Sequence, residues 1–155
     1  GTFNAYRVAP RAVELGVNAI LGPRNVDVPT PGMMGWAGTN PERIQGVAAG
    51  YQERGMKMIG FNTDSPVIPQ EELSLQAAIA VKYGFEDSEL QTIRGLTIIP
   101  AKTAGIDHLV GSIEVGKHAD LLITTGDPVD PRSCVERIFT EGKTVYDTSM
   151  ERQRW

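Results

Sequence analysis

The chain has 155 residues, 41% of them hydrophobic and 22% charged, which is enough apolar content to build a core and argues against disorder. A net charge of -4 with no run of Lys or Arg offers no field that would follow a phosphate backbone, so a nucleic-acid partner is disfavoured. No apolar run approaches the roughly 20 residues of a membrane span, and the lone cysteine, Cys134, allows neither an intrachain disulfide nor a CxxC metal or redox pair. The N-terminus lacks a basic start followed by an apolar core. A soluble protein is expected, cytoplasmic by default, with a secreted or periplasmic location open if a preceding segment carried a signal.

The first sixteen residues contain a helix with Val8, Ala12 and Leu15 on one face, Pro10 in its first turn and Gly16 at the C′ position. Val17 to Leu21 reads as a short buried strand ended by Gly22-Pro23. The Pro- and Gly-rich stretch from Arg24 to Thr39 is long for a connection and suggests a binding or lid role. Asn40-Pro41-Glu42 is a good helix start, and Ile44, Val47, Ala48 and Tyr51 repeat at helical spacing, so a helix is expected up to Gly55. Gly46 and Gly50 inside it each cost about 1 kcal/mol relative to Ala, which suggests close packing rather than propensity.

Met56 to Phe61 is a buried strand, and Gln70 to Tyr83 a helix with Leu73, Ala77, Ala80 and Val81 inward. This alternation of helix and strand predicts parallel βα units. Asp87 caps a helix running to Arg94, and a short one follows from about Pro100 to Gly105. Beyond residue 105 the texture changes to strands at Ala119 to Thr125, Val135 to Thr140 and Thr144 to Tyr146, with Glu141-Gly142 turning a hairpin and a tail from Met150 to Trp155.

Between the second strand and its helix stands FNTDSPV, residues 61 to 67. Pro66 cannot continue a ladder, so Asp64 sits where a strand stops. In a parallel α/β protein side chains from several strand ends converge there, making Asp64 the first candidate for chemistry. The plainer reading is an Asp that caps the turn into the next helix. Arg24, at the end of the other strand, could meet a substrate carboxylate or serve only as a solvated or structural arginine.

Other motifs are decoys. GSIEVGK at 111 to 117 satisfies seven positions of a phosphate-binding loop, but the eighth is His118 in place of Ser or Thr, and the segment precedes a strand instead of opening a helix. His108 and His118 lack partners at metal-binding spacing, and the neighbours Glu71 and Glu72 point apart on a helix start.

GSIEVGKHADLLITTGDP followed by VERIFTEGKTVYD resembles the C-terminal signature of the metal-dependent amidohydrolase superfamily, nearest its imidazolonepropionase-like branch. NTDSPV resembles the end of barrel strand 8, LTIIPAKTAGI the helix after it, and GTFNAYRVA the segment after strand 6. The resemblance implies an α/β fold: the last part of a (β/α)8 TIM barrel over residues 1–105, then the C-terminal strands of a small β-sandwich and a tail over 106–155.

It also implies that Asp64 is a metal ligand and takes the proton from a metal-bound water, with Arg24, Asn62 and Ser65 near the substrate and Lys117 and Asp120 structural. The cofactor would be one or two divalent ions, zinc by default with iron, manganese or nickel as alternatives. The family's His-x-His pair, its strand 4 lysine and its further histidines are absent, and a barrel needs about 250 residues. The expected partners are therefore a small-molecule amide and the missing N-terminal half of the barrel, in the same or another chain, in a homo-oligomer. A non-catalytic interaction module is the alternative reading, and a nucleotide-binding domain a third.

Overall fold

In the computed structural model, residues 5–23, 26–27 and 44–150 are described. Two short parallel strands carry the first part of the chain. β1 (Ala19–Leu21) pairs with β4 (Ile59–Phe61) in the register Ala19↔Ile59, Ile20↔Gly60 and Leu21↔Phe61. Parallel neighbours need a crossover, and helix α2 (Val47–Gln52) supplies it. The expected βα unit is therefore present, with the strands shorter at their N-terminal ends than the apolar runs suggested.

Ahead of β1, a 3-10 turn at Ala5–Val8 leads into α1 (Ala9–Glu14), whose first turn holds Pro10. Its inward side is set by Ala9 and Ala12, while Val8 and Leu15 are both about 60% exposed, so the face expected from Val8, Ala12 and Leu15 is not the buried one. With proline in its first turn and only six residues, the helix seats small side chains where the backbone comes closest to the core. Gly16 closes it at φ +66, as its C′ position requires.

The helix expected up to Gly55 is shorter than its periodicity suggested. Residues 40–43 lie outside the described residues. Gln45–Gly46 is a strand, β3, paired antiparallel with β2 (Val26–Asp27), and Ile44 is exposed. Gly46 is extended, its N–H donates to the Tyr83 carbonyl at 3.0 Å, and a Cβ there would stand 2.8 Å from that same oxygen. Gly50 faces the Tyr6 ring, where a Cβ would come within 2.8 Å. Both glycines thus mark close packing, Gly46 from a strand and Gly50 from a helix.

After β4, a 3-10 turn at Gln70–Glu72 leads into α3 (Leu73–Lys82). Gln76, Ala77 and Ala80 are buried and Val81 is 40% exposed, so the inward face is turned away from Val81 towards Gln76. Asp87 stands at the start of this segment without a side-chain cap on its first turn; its carboxylate instead reaches further, accepting from the Thr92 N–H at 2.7 Å and from the Thr92 hydroxyl at 2.8 Å. The helix expected from Asp87 to Arg94 is interrupted. Glu89 and Leu90 both have positive φ, near 58°, and divide the segment into a 3-10 turn and α4 (Gln91–Leu96).

Thr92 is fully buried, so losing Asp87 strands two buried donors. Asp87→Ala is expected to lower unfolding free energy by about 1–3 kcal/mol, read by urea denaturation. α5 (Ile98–Ala104) then packs on β4 and ends at Gly105. The main core gathers Tyr6, Ala9, Leu21, Val47, Ile59 and Phe61 with residues of α3, Phe85 and Val129. Phe61 and Phe85 meet edge to face at 5.8 Å.

β5 (Leu121–Thr124), β6 (Val135–Thr140) and β7 (Lys143–Asp147) form an antiparallel sheet in that order. The Glu141-Gly142 turn has φ +50 and +77, as a two-residue hairpin requires. Leu122, Ile123 and Val145 on these strands are exposed. Between β5 and β6, Arg132 donates to Asp130 from its guanidinium and its backbone N–H, holding that carboxyl at about 2 against an ordinary 3.8.

The folded-state value is depressed, so this contribution is present above the unfolded value and is lost as pH falls through about 2. The Arg132 amide resonance should accordingly titrate with a midpoint near 2 and not near 3.8 in an NMR pH series. No helix among the described residues is long and apolar enough to cross a membrane.

Candidate active site

Both parallel strands run out at the same end. There the Leu21 carbonyl of β1 accepts from the Asn62 N–H at 2.9 Å, which extends the pairing one step past Phe61. Thr63 is buried beneath, and the chain then turns. The Asp64 carbonyl accepts from the Val67 N–H at 2.9 Å and the Thr63 carbonyl from the Ile68 N–H at 3.3 Å. Asp64 stands on this turn at φ +52, exposed, with Ser65 exposed beside it.

Asn62, Asp64 and Ser65 are therefore brought together at the C-terminal end of β4, next to the end of β1. Arg24 lies outside the described residues. Of the plainer reading the turn is present, at a left-handed φ that an aspartate tolerates, while a side-chain cap on α3 is not. The Asn62 side-chain oxygen is buried and without a hydrogen-bond partner.

Sequence reading missed Gly22, which ends β1 against this turn. A Cβ at Gly22 would lie 1.8 Å from the Asn62 carbonyl oxygen and 2.6 Å from its side-chain oxygen. The Gly-Pro pair after a strand was the available signal, but it marks only a chain break, not a close approach.

The phosphate-loop pattern is disposed of by its contacts. Lys117 is nearly buried, and its ammonium donates to the Ser112 hydroxyl at 2.6 Å and pairs with Glu114 at 3.3 Å. Gly111, at φ +94, sits against Ala101 and Ile98 of α5, and no helix follows the run. Lys117 thus ties a turn, and Asp120 accepts from the Glu141 N–H at 2.8 Å to hold the hairpin. Both are structural here, as the resemblance implied.

Residues 16–148 match the sequence model of the Amidohydrolase family. The chain belongs to the amidohydrolase family. Asn62, Asp64 and Ser65 all fall within the matched segment. An amidohydrolase from Thermotoga maritima MSB8 superposes with a TM-score of 0.72 at 32% identity, over 92% of this chain and 35% of that one. A putative prolidase from Bifidobacterium longum gives 0.55 at 28%, over 68% and 27%. The amidohydrolase tasK of Hapsidospora irregularis is 25% identical over 87 residues, 56% of this chain and 9% of that protein.

The chain thus spans about a third or less of the length of these relatives. Its α/β architecture is that of amidohydrolases, which are TIM barrels. Amidohydrolases generally use divalent metals, and a catalytic zinc takes three protein ligands. Among the described residues no three His, Cys, Asp or Glu side chains gather into a metal site. Asp64, a single exposed carboxylate, does not make such a site by itself.

Proposed function

We propose that this chain is the C-terminal part of a metal-dependent amidohydrolase that hydrolyses a C–N bond, with Asp64 as one metal ligand and the proton carrier. The observation that carries the reading is an exposed aspartate, held in a closed turn, at the common C-terminal end of two parallel strands. When bound, a divalent ion supplies a water with a pKa near 7 and polarises the scissile carbonyl. The Asp64 carboxylate accepts a proton at its oxygen and returns it to the leaving nitrogen. Zinc is the first choice of ion, one or two in number, with iron, manganese or nickel compatible with carboxylate and imidazole ligands.

Residues 1–105 are read as the end of the barrel and 106–155 as strands of a β-sandwich whose remaining strands lie elsewhere in the protein. The exposed apolar residues of β5 and β7 support that division. The remaining metal ligands come from the rest of the barrel, in the same or another chain. Asn62 and Ser65, adjoining Asp64, are assigned to substrate contact, and Arg24 to a substrate carboxylate.

The sequence pattern resembles the imidazolonepropionase-like branch, which makes a cyclic amide one candidate substrate beside N-acyl amino acids and dipeptides. The test is metal-dependent hydrolysis by the whole protein across cyclic amides, N-acyl amino acids and Xaa-Pro dipeptides. Turnover abolished by chelation and restored by zinc is expected. A whole protein that binds no metal and hydrolyses none of the three overturns the reading in favour of an interaction module, for which the exposed sheet faces would be the contact surface.

A further inference from the structure

The place where β1 meets the Asp64 turn is built around a missing side chain. Gly22 is buried and its φ is not positive, so glycine is needed here for space and not for backbone conformation. The obstacle is a backbone atom, the Asn62 carbonyl oxygen, which no rotamer change can move aside. Asn62 is also the residue whose N–H is held by the Leu21 carbonyl. Asn62 is thus held at both ends: its N–H donates to the Leu21 carbonyl, and its carbonyl oxygen, in the next peptide, lies against Gly22. Two residues on comes Asp64, in a turn closed by the Val67 and Ile68 amides.

We infer that Gly22 is a positioning residue: by lacking a Cβ it lets the end of β1 press against the Asn62 peptide and so sets where the Asp64 carboxylate stands. The inference rests on the reading of Asp64 as a metal ligand. An alanine at 22 has to push the Asn62 peptide away, and the displacement passes into a turn that is otherwise locked. Gly60 provides the contrast. It is buried two residues before Asn62 on β4, and a Cβ there would stand 2.5 Å from Ile20 Cδ1, the far end of a flexible side chain, with the nearest backbone oxygen at 3.3 Å. Gly60→Ala therefore disturbs the same pair of strands without shifting the turn.

The experiment titrates Co2+ into the metal-free whole protein and follows the absorption of the bound ion in wild type, Asp64→Asn, Gly22→Ala and Gly60→Ala. Gly22→Ala is expected to weaken Co2+ binding by about 10–100-fold and to alter the spectrum, as substitutions that disorient a ligand do. Gly60→Ala should keep both near wild type. Wild-type binding and spectrum in Gly22→Ala, with Asp64→Asn impaired, overturns the inference and leaves the reading of Asp64 standing. An unimpaired Asp64→Asn overturns that reading and the inference with it.

Should Gly22→Ala not fold, hydrogen exchange in the wild-type protein decides the matter. The Val67 and Ile68 amides should be protected to the level of the Asn62 amide in the extended ladder; exchange at the rate of an open turn overturns the inference.

Discussion

Asp64→Asn in the whole protein should lower kcat by about 10²–10⁴-fold, the range that a positioned proton-transfer group contributes. Asparagine is the right replacement because Asp64 sits at φ +52, in the left-handed region, which Asn adopts more readily than other side chains with a Cβ. It preserves the turn and the volume while removing the proton acceptor. Alanine would add backbone strain to the chemical loss and confuse the two.

Since Asp64 is exposed and its side chain supports no neighbour that the structure shows, unfolding free energy should move by no more than about 0.5 kcal/mol. The decisive comparison is therefore rate against stability in the same variant. Steady-state kinetics on a substrate identified from the three classes above supplies the first, urea denaturation the second. Wild-type kcat in Asp64→Asn would remove Asp64 from the chemistry, and a large stability loss would make it a turn residue, as the plainer reading had it.

What made Asp64 visible in the sequence is a local signal: an apolar run that stops, then NTDSP, whose proline bars the ladder from continuing. The Glu141-Gly142 hairpin was legible for the same reason, because turn chemistry is decided within a few residues. What was not legible depends on distant partners. Gln45–Gly46 continues a helical spacing, yet it pairs with Val26–Asp27 and packs on Tyr83, neither of which a local window can register.

Val8 and Leu15 look inward by period, and only the packing of Ala9 against the core shows otherwise. Glu89 and Leu90 carry no mark of their left-handed backbone. At the site the same limit applies. The candidate carboxylate could be picked out from its place at a strand end, but the close approach of Gly22 needs two strands in register, and among the described residues no three His, Cys, Asp or Glu side chains gather to show further donors.

Ile59→Ala is the substitution expected to cost most in stability, about 2–5 kcal/mol, while leaving the chemical step nearly intact. Ile59 is 1% exposed and lies opposite Ala19 in the parallel pair. Its backbone is pressed by α4: a Cβ on Gly95 would stand 2.7 Å from the Ile59 carbonyl oxygen. With helix and strand already in contact at the main chain, the surroundings have little freedom to collapse into the space that alanine would leave, and cavity cost rises as collapse is prevented.

Ile59→Val, which removes a single methylene, should cost only about 0.5–1.5 kcal/mol, so the two variants together separate a packing effect from a general intolerance of substitution. Both are to be measured by urea denaturation of the whole protein, with kcat taken under conditions where the variants are folded. Ile59 lies five residues before Asp64 on the strand that delivers it, with the Asn62 peptide pinned between. A kcat that follows the stability loss would show that the turn inherits the disorder of the strand beneath it. The hydrogen bond from Asn62 to Leu21 and the closed turn beyond argue for the opposite result, an Asp64 that keeps its place as long as β4 is paired.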